Sequence, residues 1–456
     1  MLNEPARSRQ SRLAHALACA LVAASLASGT LARAADWPMH RRDPQRSGRS
    51  PETLKLPLTQ AWTAKTGEMG IFASPVVSDG VVYVGSREKG IYSADGKVFI
   101  RPGALFAFDA KTGDQKWKLD SYEGQRLQWF WSGPTVTKDA IFFTNQDGNL
   151  YKVSKAGKVL WRFKTGGTDT SSPLVFDGLV YFGSAWPNTS VYAVNADTGK
   201  LKWKTPTTPE GSTGDQNSSY VYSSPALAGE LVIVGANNGI FFGMDRKTGD
   251  IRWRFDIKNK AYFFTPTVVD GRVILASGDY DRTVNAVSIT NGKQEGVGWK
   301  YTADLPKLGH IYISSTATDG KSVFIVMGYP ESFLIALDAQ KGTFKWRVSL
   351  GYAGFNDVSS SPAVAGDFIF VGGGAEMAKQ DTKSGRLLVI NRDKGTVAKA
   401  IDLPANVVAS PTVAEGMVYI GALDGTFYAF KAASFSESGV TPTRVTPVAK
   451  TKKPAK

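Results

Sequence analysis

Eleven residues of this 456-residue chain have types and positions that could do chemistry: Trp129, Trp131, Asp169, Tyr220, Tyr222, Tyr262, Phe263, His310, Tyr312, Asn356 and Asp357. Phe72, Phe130, Phe264 and Asn406 sit at matching places in the sequence. Aromatic faces with a few polar groups suit a planar ring, a sugar or a peptide strand. Asp169 or Asp357 could accept a proton, His310 could exchange one near neutral pH, and Asn356 could offer a metal an oxygen. A plainer reading stands beside this one: the aromatics fill a narrow channel and His310 is a hydrogen-bonded wall residue. No Ser-His-Asp spacing and no HExxH is present, and no acid cluster has the spacing of oxygen ligands. No metal site is expected.

What must position these residues is a repeat. Each of them lies just before a signature such as "SSPLVFDGLVYFG" at Ser171, "SSPALAGELVIVG" at Ser223 or "SSPAVAGDFIFVG" at Ser360. The signature reads as strand, tight turn, strand, the second strand β-branched and aromatic. A second motif follows, as in "FFGMDRKTGDIRWRF" at Phe241, "LFAFDAKTGDQKWKL" at Leu105 and "VYAVNADTGKLKWKT" at Val191. There Asp or Asn leads Gly by four, and Gly leads Trp by four. The acid or amide bonds its own backbone at the turn entry, and the Gly supplies positive φ. One unit is therefore four antiparallel strands. Eight units occur, with Pro or its equivalent at 75, 134, 173, 225, 266, 316, 362 and 411.

Eight such units predict an all-β, eight-bladed β-propeller over residues 35–436. Trp62 precedes the first signature, and the last unit ends without a Trp strand of its own. The strand around Trp62 should therefore complete the blade of residues 409–431, closing the ring by pairing N- and C-terminal strands and removing an edge. Lys399 takes the Trp slot of the seventh unit, where a weaker contact between blades is expected.

The combined pattern, Ser-Pro-x-Val…Gly-x-Val-Tyr-x-Gly…Asp-Ala-x-Thr-Gly-x-x-x-Trp, resembles the PQQ-like repeat, as does the lead-in "DWPMHRRDPQRSG" at Asp36. That repeat occurs in quinoprotein dehydrogenases and in the propeller subunit of the bacterial β-barrel assembly machinery. The resemblance implies that Trp62, Trp117, Trp161, Trp203, Trp253, Trp299 and Trp346 pack between blades. It is poorly specific for activity, because one fold hosts many functions. A dehydrogenase of this type would use PQQ with Ca²⁺, a catalytic Asp and usually a vicinal Cys pair. The only cysteine, Cys19, lies in the N-terminal segment, so the vicinal pair and any Cys-x-x-Cys-His haem site are missing.

Residues 1–34 read as a cleavable Sec-type signal: Arg7, Arg9 and Arg12, then an apolar run from Leu13 to Leu26, then Ala32-Arg33-Ala34. Lipidation at Cys19 is not expected, since Ala16 holds the place of the usual Leu and the apolar run continues past it. No transmembrane segment is expected after cleavage. Net charge is +14, of which the Pro- and Lys-rich tail from Thr441 carries +5. Residues 437–456 read as a disordered basic tail that could touch anionic surfaces. Insertions at Arg87–Gly103, Ala185–Asn188, Pro206–Ser219 and Gly374–Gly385 are where partner contacts are expected. The reading that results is a periplasmic or secreted scaffold that binds an envelope protein or peptide, without nucleic acid or cofactor. The alternative is a PQQ-dependent dehydrogenase acting on an alcohol or sugar in the aromatic funnel.

Overall fold

The hairpin motif folds as its residue types demand. In "FFGMDRKTGDIRWRF", the strands Ile240–Asp245 and Ile251–Asp256 pair antiparallel, with Phe241 opposite Phe255 and Gly243 opposite Trp253. Asp245 Oδ1 accepts the backbone N–H groups of Lys247 (2.9 Å) and Thr248 (3.2 Å). Gly249, at φ +80°, returns its N–H to the Asp245 carbonyl at 2.8 Å. The signature adds two strands inside this pair, Ala226–Ala228 and Leu231–Gly235, to give a four-stranded sheet. Its second strand is buried almost throughout, because it packs between neighbouring sheets on both faces.

This computed structural model describes residues 36–92, 99–168, 170–208, 219–258, 264–277, 282–305, 314–328, 330–352, 360–374 and 384–437. They are entirely β and irregular structure, with no helix among them. Eight such sheets form an eight-bladed β-propeller, numbered here by inner strand from Val76–Ser78 (blade 1) to Thr412–Ala414 (blade 8). Blade 8 takes its outer strand from the other end of the chain. Glu52–Lys65 pairs antiparallel with Thr426–Glu437, with Trp62 opposite Ala429 and Glu52 opposite Glu437. Thr412 Oγ1 then bonds the Pro75 carbonyl at 2.6 Å, joining blade 8 to blade 1. The strand Glu52–Lys65 thus covers the edge that Thr426–Glu437 would otherwise expose.

The tryptophans join each blade to the next. The indole N–H of Trp203, in blade 3, donates to the Arg246 carbonyl of blade 4 at 3.0 Å, and its ring lies against Gly249. Trp62, Trp117, Trp161, Trp253 and Trp299 donate in the same way to Ala110, Lys155, Asp197, Ile289 and Ala339. A Cβ on Gly113, Gly157, Gly199, Gly292, Gly342 or Gly395 would meet the ring of Trp62, Trp117, Trp161, Trp253, Trp299 or Trp346 at 3.0 Å or less. The motif glycine thus has two tasks: it supplies positive φ and makes room for the previous blade's indole. Lys399 sits opposite Val389, in the register slot that Trp253 occupies opposite Gly243. The next blade is blade 8, whose two outer strands are chain ends with no hairpin glycine between them. No seat for an indole exists there, which accounts for the lysine.

Candidate functional site

The inner strands end in a polar belt built by the signature itself. In "SSP" the first serine serves its own blade: Ser223 Oγ accepts the N–H of Gly235 at 2.7 Å, and Ser360 Oγ that of Gly372 at 2.9 Å. The second serves the neighbour. Gly133 N–H donates to Ser172 Oγ (3.1 Å), Ser172 to Ser224 (3.0 Å) and Ser224 to Thr265 Oγ1 (3.2 Å). Thr265 donates to Ser315 (3.1 Å), Ser315 to Ser361 (3.1 Å) and Ser361 to Ser410 (3.0 Å). Six links in sequence carry the belt from blade 2 to blade 8. They satisfy N–H groups that would otherwise be buried and unpaired.

Beneath the belt runs a strap that the repeats do not announce. Residues 36–50 pass along the inner strands, and their carbonyls accept N–H groups two residues after the Pro position of six blades. The pairs are Trp37 with Val77 (2.9 Å), Pro38 with Val136 (2.7 Å), Pro44 with Leu227 (2.7 Å), Gln45 with Val268 (2.9 Å), Ser47 with Thr318 (2.9 Å) and Gly48 with Val364 (2.8 Å). Arg49–Ser50 then adds to blade 7 as a parallel strand. Two fully buried arginines secure the strap. Arg41 donates to the carbonyls of Thr316 (2.9 Å) and Pro362 (2.5 Å). Arg46 donates to those of Pro225 (2.7 Å), Pro173 (3.3 Å) and His40 (2.6 Å). Burial pushes both guanidinium groups down to about 9, which leaves them charged at neutral pH. Arg41, Arg42 and Arg46 all hold positive φ, as the tight path between blades requires.

Belt and strap border a cavity of about 70 Å³ that opens to solvent, with His40 among its lining residues. Ser74, Ser132, Ser172, Ser224, Thr265, Ser314, Ser315, Ser361 and Ser410 supply hydroxyls, and Phe72, Trp131 and Tyr222 supply rings. His40 is pushed well below its usual value by burial and then by the charges of Arg46 and Arg41, so it is neutral. Its Nδ1 has no hydrogen-bond partner, nor does Thr170 Oγ1. At the rim stands Arg87, 7% exposed, its guanidinium 3.9 Å from the ring of Trp129, 4.1 Å from Phe72 and 4.5 Å from Trp131. Three π faces stabilise the buried cation. Just beyond it, the ribbon Ile91–Tyr92 paired with Phe99–Ile100 presents Tyr92 (68% exposed) and Phe99 (49%), their rings in edge contact at 5.2 Å.

Of the residues singled out from sequence, Trp131 and Tyr222 line the cavity. Trp129 covers Arg87 and donates its indole N–H to the Glu88 carbonyl, and Tyr220 packs against Tyr222 at 5.5 Å. Asp169, Tyr262, Phe263, His310, Tyr312, Asn356 and Asp357 lie outside the described residues. Sequence reasoning missed His40, Arg41, Arg46 and the serine belt. The belt's signal was present in the repeated Ser before Pro. Arg41 and Arg46 carry no such signal, because nothing repeats around them.

The described lining does not fit PQQ held by Ca²⁺. That ion takes six to eight oxygen ligands, with carboxylates among them. The cavity offers hydroxyls without a carboxylate, and Arg41, Arg46 and Arg87 stand nearby as positive charges. Among the described residues no group of three or more His, Cys, Asp or Glu is placed to hold a metal.

The family profile described as "Outer membrane protein assembly factor BamB" matches residues 59–239 and 188–401. The assembly factor of that name from Yersinia pestis is 25% identical over 360 residues, covering 75% of this chain and 81% of the relative. The quinohemoprotein alcohol dehydrogenase of Comamonas testosteroni is 27% identical over 205 residues, which is 40% of this chain but 26% of the enzyme. Its crystal structure superposes with a TM-score of 0.65 at 17% identity, covering 90% of this chain and 83% of that one. At that identity the likeness concerns the fold.

Proposed function

The chain belongs to the family of the outer membrane protein assembly factor BamB, and from that premise we propose that it is an exported, non-catalytic scaffold that docks envelope proteins during outer-membrane assembly. The single observation that carries the reading is the family match, which spans most of the propeller. The site agrees with it. The ring is rigid, its channel is narrowed by a built-in strap, and an exposed apolar ribbon stands at one mouth. Ile91 is 43% exposed, and Tyr92 and Phe99 more so, at the start of the insertion that also carries Lys89 and Arg101. Aromatic side chains on a rigid frame are typical anchors for a protein partner. Residues 1–34 would direct export, with the mature chain in the periplasm beginning near Ala35, unlipidated at Cys19.

A photo-crosslinking residue at position 92, in cells making the full chain, tests this. The expected result is covalent capture of a protein of the outer-membrane assembly pathway, lost on Phe99→Ser. Capture unchanged by Phe99→Ser, or no adduct at all, counts against the ribbon as the docking element. The rival reading is a quinone-dependent dehydrogenase. Titrating the purified chain with PQQ and Ca²⁺ should give no saturable binding and no dye-linked alcohol oxidation, whereas saturable turnover would replace the scaffold reading. The mass of the exported chain checks cleavage: unmodified protein starting near Ala35 is expected, and a mass bearing acyl chains contradicts it.

A further inference from the structure

We propose that the hydroxyl-lined channel cavity is a binding site for a small oxyanion, a free phosphate or carboxylate compound. This goes beyond the docking role, and either reading can stand if the other falls. The first argument is charge. Arg41, Arg46 and Arg87 are buried, the first two acting on the lining residue His40 and the third packed on the lining rings of Phe72 and Trp131. Among the described residues Asp43 is the carboxylate that steadies Arg41 and Arg46, and its oxygens already accept the N–H and hydroxyl of Ser47. Burial, and then the repelling charge of Arg101, push Arg87 down to about 10. The described charges beside the cavity are therefore mostly positive, and such a field favours an anion that can approach it.

The second argument is unmet hydrogen bonding. Thr170 is 8% exposed and lines the cavity, yet its hydroxyl has no partner. His40 Nδ1 lines the same space without a partner, and next to it in the chain Arg41 Nε and Nη1 are also unpaired. Native proteins leave few buried polar groups unsatisfied, and those few call for an ion, a water or a ligand. Around these donors stands the serine belt. Ser360 Oγ and Ser314 Oγ spend their protons on the Ala409 and Ser315 carbonyls, whereas Ser172, Ser224, Ser361 and Ser410 each accept an N–H at Oγ and keep a hydroxyl proton that can be donated. Hydroxyl donors, an imidazole and nearby guanidinium groups form a donor set for phosphate or carboxylate oxygens. A cavity of about 70 Å³ has room for several waters or for an ion of phosphate size. The rings of Phe72, Trp131 and Tyr222 would cover the ligand's apolar part.

The test is calorimetry on the full chain with inorganic phosphate and, separately, citrate, against a chloride control. One saturable site with a dissociation constant below about 1 mM is expected for at least one of the two, and which one identifies the oxyanion class. Thr170→Val removes only the unpartnered hydroxyl and keeps the side chain's shape, so it should fold as the parent does. Arg87→Met keeps an apolar stem within the aromatic cage. Each is expected to weaken binding at least about tenfold. In parallel, NMR of the His40 ring should show its pKa rising when the anion binds, an effect absent in chloride. No saturable binding to either anion overturns the proposal. So does binding of equal strength in the parent and both variants, which would assign it to the basic tail.

Discussion

Replacing Gly249 with alanine separates the two tasks of the motif glycine when it is paired with Gly271→Ala. Both glycines hold positive φ, +80° and +73°. Forcing alanine into that region costs about 1–2 kcal/mol at either site. The surroundings differ. A Cβ at Gly271 would meet nothing within 4 Å, whereas one at Gly249 would lie 2.7 Å from Trp203 Cδ2 and from Thr205 Oγ1. Neither neighbour yields freely. The Trp203 indole is tied to the Arg246 carbonyl at 3.0 Å, and Thr205 Oγ1 donates to the Gly249 carbonyl at 2.8 Å. Overpacking adds about 1–3 kcal/mol, and a displaced hydrogen bond about 1 kcal/mol more. Gly249→Ala should therefore cost roughly 2–4 kcal/mol more than Gly271→Ala. Unfolding entropy of about 2.1 cal/mol/K per residue, over ~400 residues, turns that into a difference of roughly 2–5 °C in Tm. Calorimetric melts of the two variants side by side measure it. Equal losses would refute the claim that these glycines seat the indoles and leave only their turn role.

Three more outcomes follow from the same contacts. His40 stays neutral in the fold while the unfolded chain's imidazole takes a proton below about pH 6.5. Acid therefore favours the unfolded state, and as pH falls below about 6.5 the native protein should lose stability that the His40→Asn variant keeps. Parallel pH profiles of denaturation midpoints for the two proteins would contradict this. Arg46→Lys should lose about 2–4 kcal/mol in denaturant melts despite keeping the charge, because an ammonium cannot span the Pro225, Pro173 and His40 carbonyls; native-like stability would show that the strap needs only a cation. Lys399→Trp should change stability by less than about 0.5 kcal/mol, as at an ordinary surface position, since blade 8 offers no glycine seat. A clear rise in Tm would mean that a seat exists.

The repeat could be read directly because its interactions are local and recur in most of the blades. Asp245, Gly249 and Trp253 lie within nine residues of one another, and every sister copy repeats the test. Ring closure could be read too, from one Trp too many at the start and one too few at the end. The strap could not. Arg41 reaches a carbonyl 321 residues away and occurs once, so neither spacing nor repetition marks it. The serine belt is an intermediate case. Its residues were visible in every "SSP", but a hydrogen bond between neighbouring blades shows only once the blades are side by side. Trp131 and Tyr222, singled out from the sequence, line the cavity, while His40, which lines it too, comes from outside the repeats.

The central claim is that this propeller serves outer-membrane assembly, and the most direct measurement is the abundance of β-barrel proteins in the outer membrane of cells lacking the chain. Quantitative proteomics of purified outer membranes should show several barrels reduced together, restored by the full chain and only partly by a Tyr92→Ser, Phe99→Ser double variant. An unchanged barrel profile, together with loss of a PQQ-dependent oxidation in the same cells, would contradict the account.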